Sequence, residues 1–198
     1  AVGSVAEFKD QPMLPLKDYQ DFDYDPINAL LNAFAKIAPE DEGASLQIVF
    51  KPVGHHYVEH YRRVLHQLRK GEHRGRAFSL PETFVGDFAR EAASLFIPKQ
   101  AHTEQRPVDE AAVEQVEKKV AAPIVATNIR IVTSSMDAHR AEQMLTEIEA
   151  PFHQFENTKG NRLEFKRPGK GGLKRFFRDF SFRLYEKATN IPLSLREL

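Results

Sequence analysis

His56-Tyr57-Val58-Glu59-His60 is the stretch of this chain whose residue types and spacing most resemble catalytic chemistry. Two histidines four apart share one face of a helix and can bind a zinc ion, while Glu59 between them activates a water. That arrangement would make a zinc-dependent hydrolase. A third ligand, expected as a Glu on a later helix, has no distinctive candidate. Steps of 100° per residue set His56 and His60 on the polar flank of an apolar stripe, and the same helix carries His55, His66 and three Arg. A solvated helix face is the plainer reading, and the metal site is the alternative.

Two further stretches carry charge chemistry. Pro168-Gly169-Lys170-Gly171-Gly172 invites a phosphate-loop reading, but a phosphate loop needs G-x-x-x-x-G-K-[ST], and Lys170 is followed by Gly. A flexible connection is the expectation there. Residues 159–187 hold ten Lys and Arg against three Asp and Glu, a net of +7, interleaved with Phe165, Phe176, Phe177, Phe180, Phe182 and Tyr185. Lys170, Lys174, Arg175, Arg178 and Arg183 are the candidate phosphate contacts for weak, sequence-independent nucleic-acid binding, with the rings available for stacking. Helical spacing of Phe176, Phe177 and Phe180 favours a core role for those rings. Residues 1–42 carry three Lys against nine Asp and Glu, a net of −6, so pairing between these oppositely charged ends competes with a nucleic-acid partner.

Elements must position these groups. A chain of 198 residues with 41% apolar side chains can bury a core, and Lys plus Arg equals Asp plus Glu at 28 each. There is no cysteine, hence no disulfide framework and no thiolate metal site. No apolar run approaches the ~20 residues of a membrane span. Ile124 to Lys166 organises the rest. Val125, Thr127, Ile129, Ile131 and Thr133 alternate as a strand with one buried face, and Ser134 to Asp137 offers a capping box. Ala138, Ala141, Leu145 and Ile148 follow at helical spacing until Pro151, and Leu163 and Phe165 alternate after a turn at Asn157 to Asn161. This is a β-α-β unit with parallel strands.

Earlier, Asp25-Pro26 opens a helix with Ile27, Leu30, Leu31, Phe34 and Ile37 as its stripe. Leu46, Ile48 and Phe50 form the inward face of a strand ended by Pro52. A helix over 56–70 carries Tyr57, Tyr61, Val64 and Leu68, with Gly71 as its C′ residue. Residues 71–78 read as a basic loop, and Ser79 to Glu82 caps a further helix. Residues 98–107 have linker composition, and a peripheral helix spans 108–122. Leu173 to Leu184 returns to helical spacing. The expectation is one α+β domain over 1–198, a ferredoxin-like β-α-β sheet with helices on one face and a helical insertion at about 79–122. Arg76 to Leu80 is the candidate fourth strand.

Several phrases, in order, carry a family resemblance: Pro15-Leu16-Lys17-Asp18-Tyr19 with Asp21-Phe22, Asp25-Pro26-Ile27-Asn28-Ala29-Leu30, Leu46-Gln47-Ile48-Val49-Phe50-Lys51-Pro52, and Asn128-Ile129-Arg130-Ile131-Val132 followed by Arg140-Ala141-Glu142. The order resembles the region preceding the motor in type IV secretion-like, conjugative DNA-transfer ATPases of the FtsK/HerA superfamily. Residues 71–105 depart from that pattern. Walker motifs are absent from these residues, so the resemblance transfers no ATPase residue, no catalytic residue and no cofactor. It implies a cytoplasmic accessory domain, held at the inner membrane face through other parts of a parent protein. Its implied partners are the motor domain of the same polypeptide, other subunits of a translocation complex such as a hexamer, and DNA. The start without Met, and a close on Ser194-Leu195-Arg196-Glu197-Leu198 that reads as the first turn of a helix, suggest a fragment.

Overall fold

The computed structural model describes residues 1–23, 25–38, 40–79, 107–169 and 171–198. Among the described residues, five strands form a single antiparallel sheet: β1 (Val2–Phe8), β2 (Gly43–Pro52), β3 (Ile124–Ser134), β4 (Leu163–Lys166) and β5 (Ile191–Ser194). The first four lie in the order β2-β3-β1-β4, with α1 (Ile27–Phe34) between β1 and β2, and α5 (Ala138–Glu149) between β3 and β4. This is the β-α-β-β-α-β arrangement of a ferredoxin-like sheet. The β3-α5-β4 unit has its two strands parallel, as expected, but β1 lies between them and runs antiparallel to both.

β1 was not foreseen, and it replaces Arg76 to Leu80 as the fourth strand. As the strand between β3 and β4 it has Ser4 and Ala6 fully buried on one face and Val5 buried on the other, so its apolar residues do not alternate cleanly. Arg76 falls instead in a short helix, α3 (Arg74–Phe78), where the sequence suggested a loop.

β3 is the central strand. It pairs with all of β2, from Gly43 opposite Ser134 to Pro52 opposite Val125. Its other edge is shared end to end, by β1 along 130–133 and by β5 along 124–127. Ile129 and Ile131 point to the face covered by α1 and α5, where they meet Ala6, Leu145, Ile148, Phe152 and Leu163. Each fully buried aliphatic there contributes about 1.5–3 kcal/mol. Asp25 accepts the Ile27 amide at 2.9 Å, but α1 begins at Ile27 with Pro26 as its N-cap residue, one position later than expected. Ile27 and Leu31, placed in its buried stripe by spacing, are instead more than half exposed. Ile48 and Phe50 are also exposed, because β2 is the edge strand and the helical cover thins toward Pro52. α5 is capped by Asp137, which accepts the His139 amide at 3.0 Å, rather than by Ser134; Met144 is buried in its stripe and Ala138 is exposed.

Between β2 and β3 the described helices are α2 (His56–Arg69), α3 and α4 (Glu110–Val120). They build a second core from Tyr61, Val64, Leu68, Phe78, Ala112 and Val116, joined by Met13, Leu14 and Ile124. The helical insertion therefore begins at His56, ahead of the expected 79. α4 is not peripheral, since Val116 and Lys119 are fully buried. The capped helix and the linker expected over 79–107 lie almost wholly outside the described residues. Gly71 holds the left-handed φ of 80° that the C′ position of α2 requires.

Among the described helices, one lies on the opposite face of the sheet. α6 (Leu173–Ser181) packs Phe176 so closely on β1 that a Cβ at Gly3 would come within 2.3 Å of its ring. Both faces of β3 are thus buried, which corrects the expectation of helices on one face.

Candidate functional site

Arg130 organises the second face. Its neighbours on β3, Ile129 and Ile131, point to the first core, so alternation turns Arg130 toward α6. Only 2% of the residue is exposed. Nη1 donates to Gln47 Oε1 and to the Asp179 carbonyl, both at 3.2 Å. Nη2 donates to Asn128 Oδ1 at 3.2 Å and to the Leu184 carbonyl at 2.8 Å. Asn128, two residues back on the same face, donates to the carbonyls of Glu186 at 2.9 Å and Thr189 at 2.8 Å, and accepts the Glu186 amide at 2.7 Å. Gln47 donates to the Phe180 carbonyl at 2.8 Å. Burial holds the Arg130 guanidinium below its ordinary pKa, opposed by the charges of Asp179 and Glu186. The cluster clamps α6 and the segment after it onto the sheet. Sequence reading placed Asn128 and Arg130 on a polar face; a basic residue in the middle of the most central strand was the available signal.

A cavity of about 350 Å³ opens beside Arg130, lined among others by Glu7, Lys166, Arg175, Asp179 and Glu186. Its charges satisfy one another. Lys166 Nζ meets Glu7 at 2.5 Å, which holds its pKa above the ordinary lysine value, and Arg175 pairs with Glu186 and, at 3.6 Å, with Asp179.

The five proposed phosphate contacts do not form one group. Arg178 donates to Asp179 Oδ1 from Nε and Nη2, at 2.9 and 2.6 Å, and Arg175 is paired as described. Lys174 and Arg183 are exposed and make no ion pair among the described residues, and Lys170 lies outside them. Phe176 is buried, Phe177 and Phe180 are half-buried, and Phe182 is 72% exposed. Arg183 is the one described non-glycine residue with positive φ, 53°. It follows the end of α6, where the Arg183 amide reaches the Phe180 carbonyl at 3.2 Å and the Leu184 amide reaches Asp179 at 2.8 Å. That pattern normally places Gly at this position, and a side chain there costs about 1–2 kcal/mol.

The His56, Glu59, His60 pattern is divided by packing. His56 and Glu59 are exposed, while His60 is 2% exposed with its ring 5.5 Å from that of Tyr61. The flank that spacing left polar is therefore buried on the His60 side. Among the described residues, no group of three or more His, Asp or Glu is placed to hold a metal. Likewise, no helix among them is long and apolar enough to cross a membrane. The Gly-rich stretch does run from strand β4 to helix α6, with the Gly172 amide on the Gly169 carbonyl at 2.8 Å.

A second buried charge cluster joins α4 to residues 194–197. Lys119 Nζ meets Glu197, whose carboxylate also accepts the amides of Leu16 and Ser194, both at 2.7 Å. Glu197 reaching back to the Ser194 amide is one half of the capping box read from sequence. Here it closes a turn after β5, where a helix was expected.

No curated protein and no solved structure matches the chain. A family model matches residues 2–168, which run from β1 through β4 and end before α6. The chain therefore belongs to the family described as Domain of unknown function (DUF8128).

Proposed function

We propose that this chain is a non-catalytic accessory domain of a type IV secretion or conjugation-type ATPase, supporting assembly or substrate movement by a motor domain of the same polypeptide. The observation that carries the reading is a division of labour among side chains. Buried polar groups such as Arg130, Asn128, Lys119 and Glu197 are engaged in holding elements together, while large apolar groups such as Tyr19, Ile27, Leu31 and Phe182 stand in solvent. Exposed apolar side chains beside charged ones are what a partner surface offers. The phrases that resemble the ATPase accessory region fall on the approach to α1, on α1 itself, and on β2, β3 and α5, so the resemblance follows the sheet and its cover. In this reading the domain works in the cytoplasm, at the inner face of the membrane through other parts of the parent, with other subunits of a translocation complex as partners.

The test is the reading frame that encodes these residues. The proposal expects it to continue into a P-loop domain, with G-x-x-x-x-G-K-[ST] between a strand and a helix. A frame encoding no motor overturns it.

A further inference from the structure

We propose that copies of this chain associate head to tail, with the acidic segment 18–31 of one copy seated on the basic segment 173–187 of the next. Residues 18–31 carry four Asp and no Lys or Arg, whereas residues 173–187 carry five Lys and Arg against Asp179 and Glu186. Within the chain these charges are only partly used. Among the described residues, Asp21, Asp23 and Asp25 make no ion pair, and neither do Lys174, Arg183 and Lys187.

Each segment sets exposed apolar groups among charges that lack an opposite charge within the described residues. Tyr19, Ile27 and Leu31 are 61%, 57% and 58% exposed; Leu173, Phe182 and Leu184 are 36%, 72% and 45% exposed. Apolar groups framed by charge of opposite sign make two complementary surfaces. The sheet keeps them apart. The acidic segment lies on the face of α1 and α5, with Phe22 packed on Phe155, and the basic segment lies on the face of Arg130. A chain cannot fold one onto the other, so the contact is between copies. It joins unlike patches, and such a heterologous contact builds closed rings or open chains rather than two-fold dimers.

Arg183 adds a second line of argument. A charged side chain stands where the backbone favours Gly, and it points to a role outside the fold. A nucleic-acid strand fits this surface less well. Arg175 and Arg178 are already paired to Glu186 and Asp179, and of the exposed apolar groups Leu173, Phe182 and Leu184 only Phe182 offers a ring on which a base can stack.

Sedimentation of the chain over a range of concentrations tests the proposal. Wild type should gain mass with concentration and lose it with added salt. Asp23→Lys/Leu31→Lys and, separately, Lys174→Glu/Arg183→Glu should each remain monomeric, and an equimolar mixture of the two should regain association, because each supplies the intact surface the other lacks. Arg183→Gly should raise the Tm while weakening association, which separates a contact role from a folding role. Three results overturn the proposal: a wild type that is monomeric throughout, association unchanged in both double variants, or a monomeric chain that binds a labelled single-stranded oligonucleotide through Lys174 and Arg183. Nucleotide hydrolysis plays no part in this readout, so the accessory-domain reading can fail without it.

Discussion

The Lys119 ammonium and the Glu197 carboxylate stand 2.7 Å apart with side-chain exposures of 0% and 2%, joining α4 to the turn that follows β5. Lys119 also lies 5.0 Å over the Phe8 ring, so the pair touches the ferredoxin-like sheet as well. Two charges taken out of water this completely are held by their mutual attraction and by the two amides on Glu197.

Glu197→Ala therefore leaves a buried ammonium without its counter-charge and should cost about 3–5 kcal/mol in urea denaturation. Lys119→Met/Glu197→Gln should cost less, since no lone charge remains and the Gln oxygen still accepts one of the two amides. Burial already depresses the Lys119 pKa from its ordinary 10.5, against the pull of Glu197. Without Glu197 the depression deepens, the unfolded chain binds the extra proton, and the stability of Glu197→Ala should rise with pH toward 10.5. A variant as stable as wild type at neutral pH would show the pair to be dispensable.

Arg130→Lys should not be tolerated as a conservative change. A single ammonium cannot reach Gln47, Asn128 and two carbonyls in the fork that the guanidinium spans. The expected loss is about 2–4 kcal/mol, from buried acceptors left without donors. Hydrogen exchange should report it first in α6, whose attachment the cluster provides, and only later in β3. Equal loss of protection in both would contradict that order.

Arg140 grips Glu42 from Nε at 2.6 Å and Nη2 at 3.1 Å, and the Ala38 amide adds a third bond at 2.9 Å. The Arg140 hydrogen bond, then the Ala38 amide, hold the Glu42 carboxyl below its ordinary 4.5. A depressed carboxylate contributes stability that is complete above 4.5 and is lost as pH falls through the lower folded value. Glu42→Gln should therefore flatten the acid limb of a stability profile below that pH and lower stability at neutrality. An unchanged acid limb would remove this pair from the account.

Much of the sheet was legible because its signals are local. The alternation from Val125 to Thr133, the apolar spacing of Ala141, Leu145 and Ile148, and Leu163 with Phe165 each need only a window of a few residues. β1 and β5 escaped for opposite reasons. β1 lies between two strands, so its apolar residues fill both faces; β5 has four residues and places Pro192 on an edge, where a proline usually argues against a strand. The site was less legible still. Arg130 and Lys119 look like ordinary surface charges until α6 and residue 197 come to rest on them, and those contacts span 49 to 78 positions of sequence. His60 failed in the reverse direction, since helical spacing cannot tell which flank the rest of the fold will bury.

The central claim is that these residues contribute surfaces and leave the chemistry to a motor. Nucleotide hydrolysis tests it most directly, measured on residues 1–198, on the complete product of the reading frame, and on that product carrying Glu59→Gln or Leu31→Lys/Phe182→Ser. The account predicts no hydrolysis by residues 1–198, hydrolysis by the complete product unchanged by Glu59→Gln, and a lower rate when the exposed apolar groups are replaced. Hydrolysis by residues 1–198 alone, or its loss from the complete product on Glu59→Gln, would contradict it.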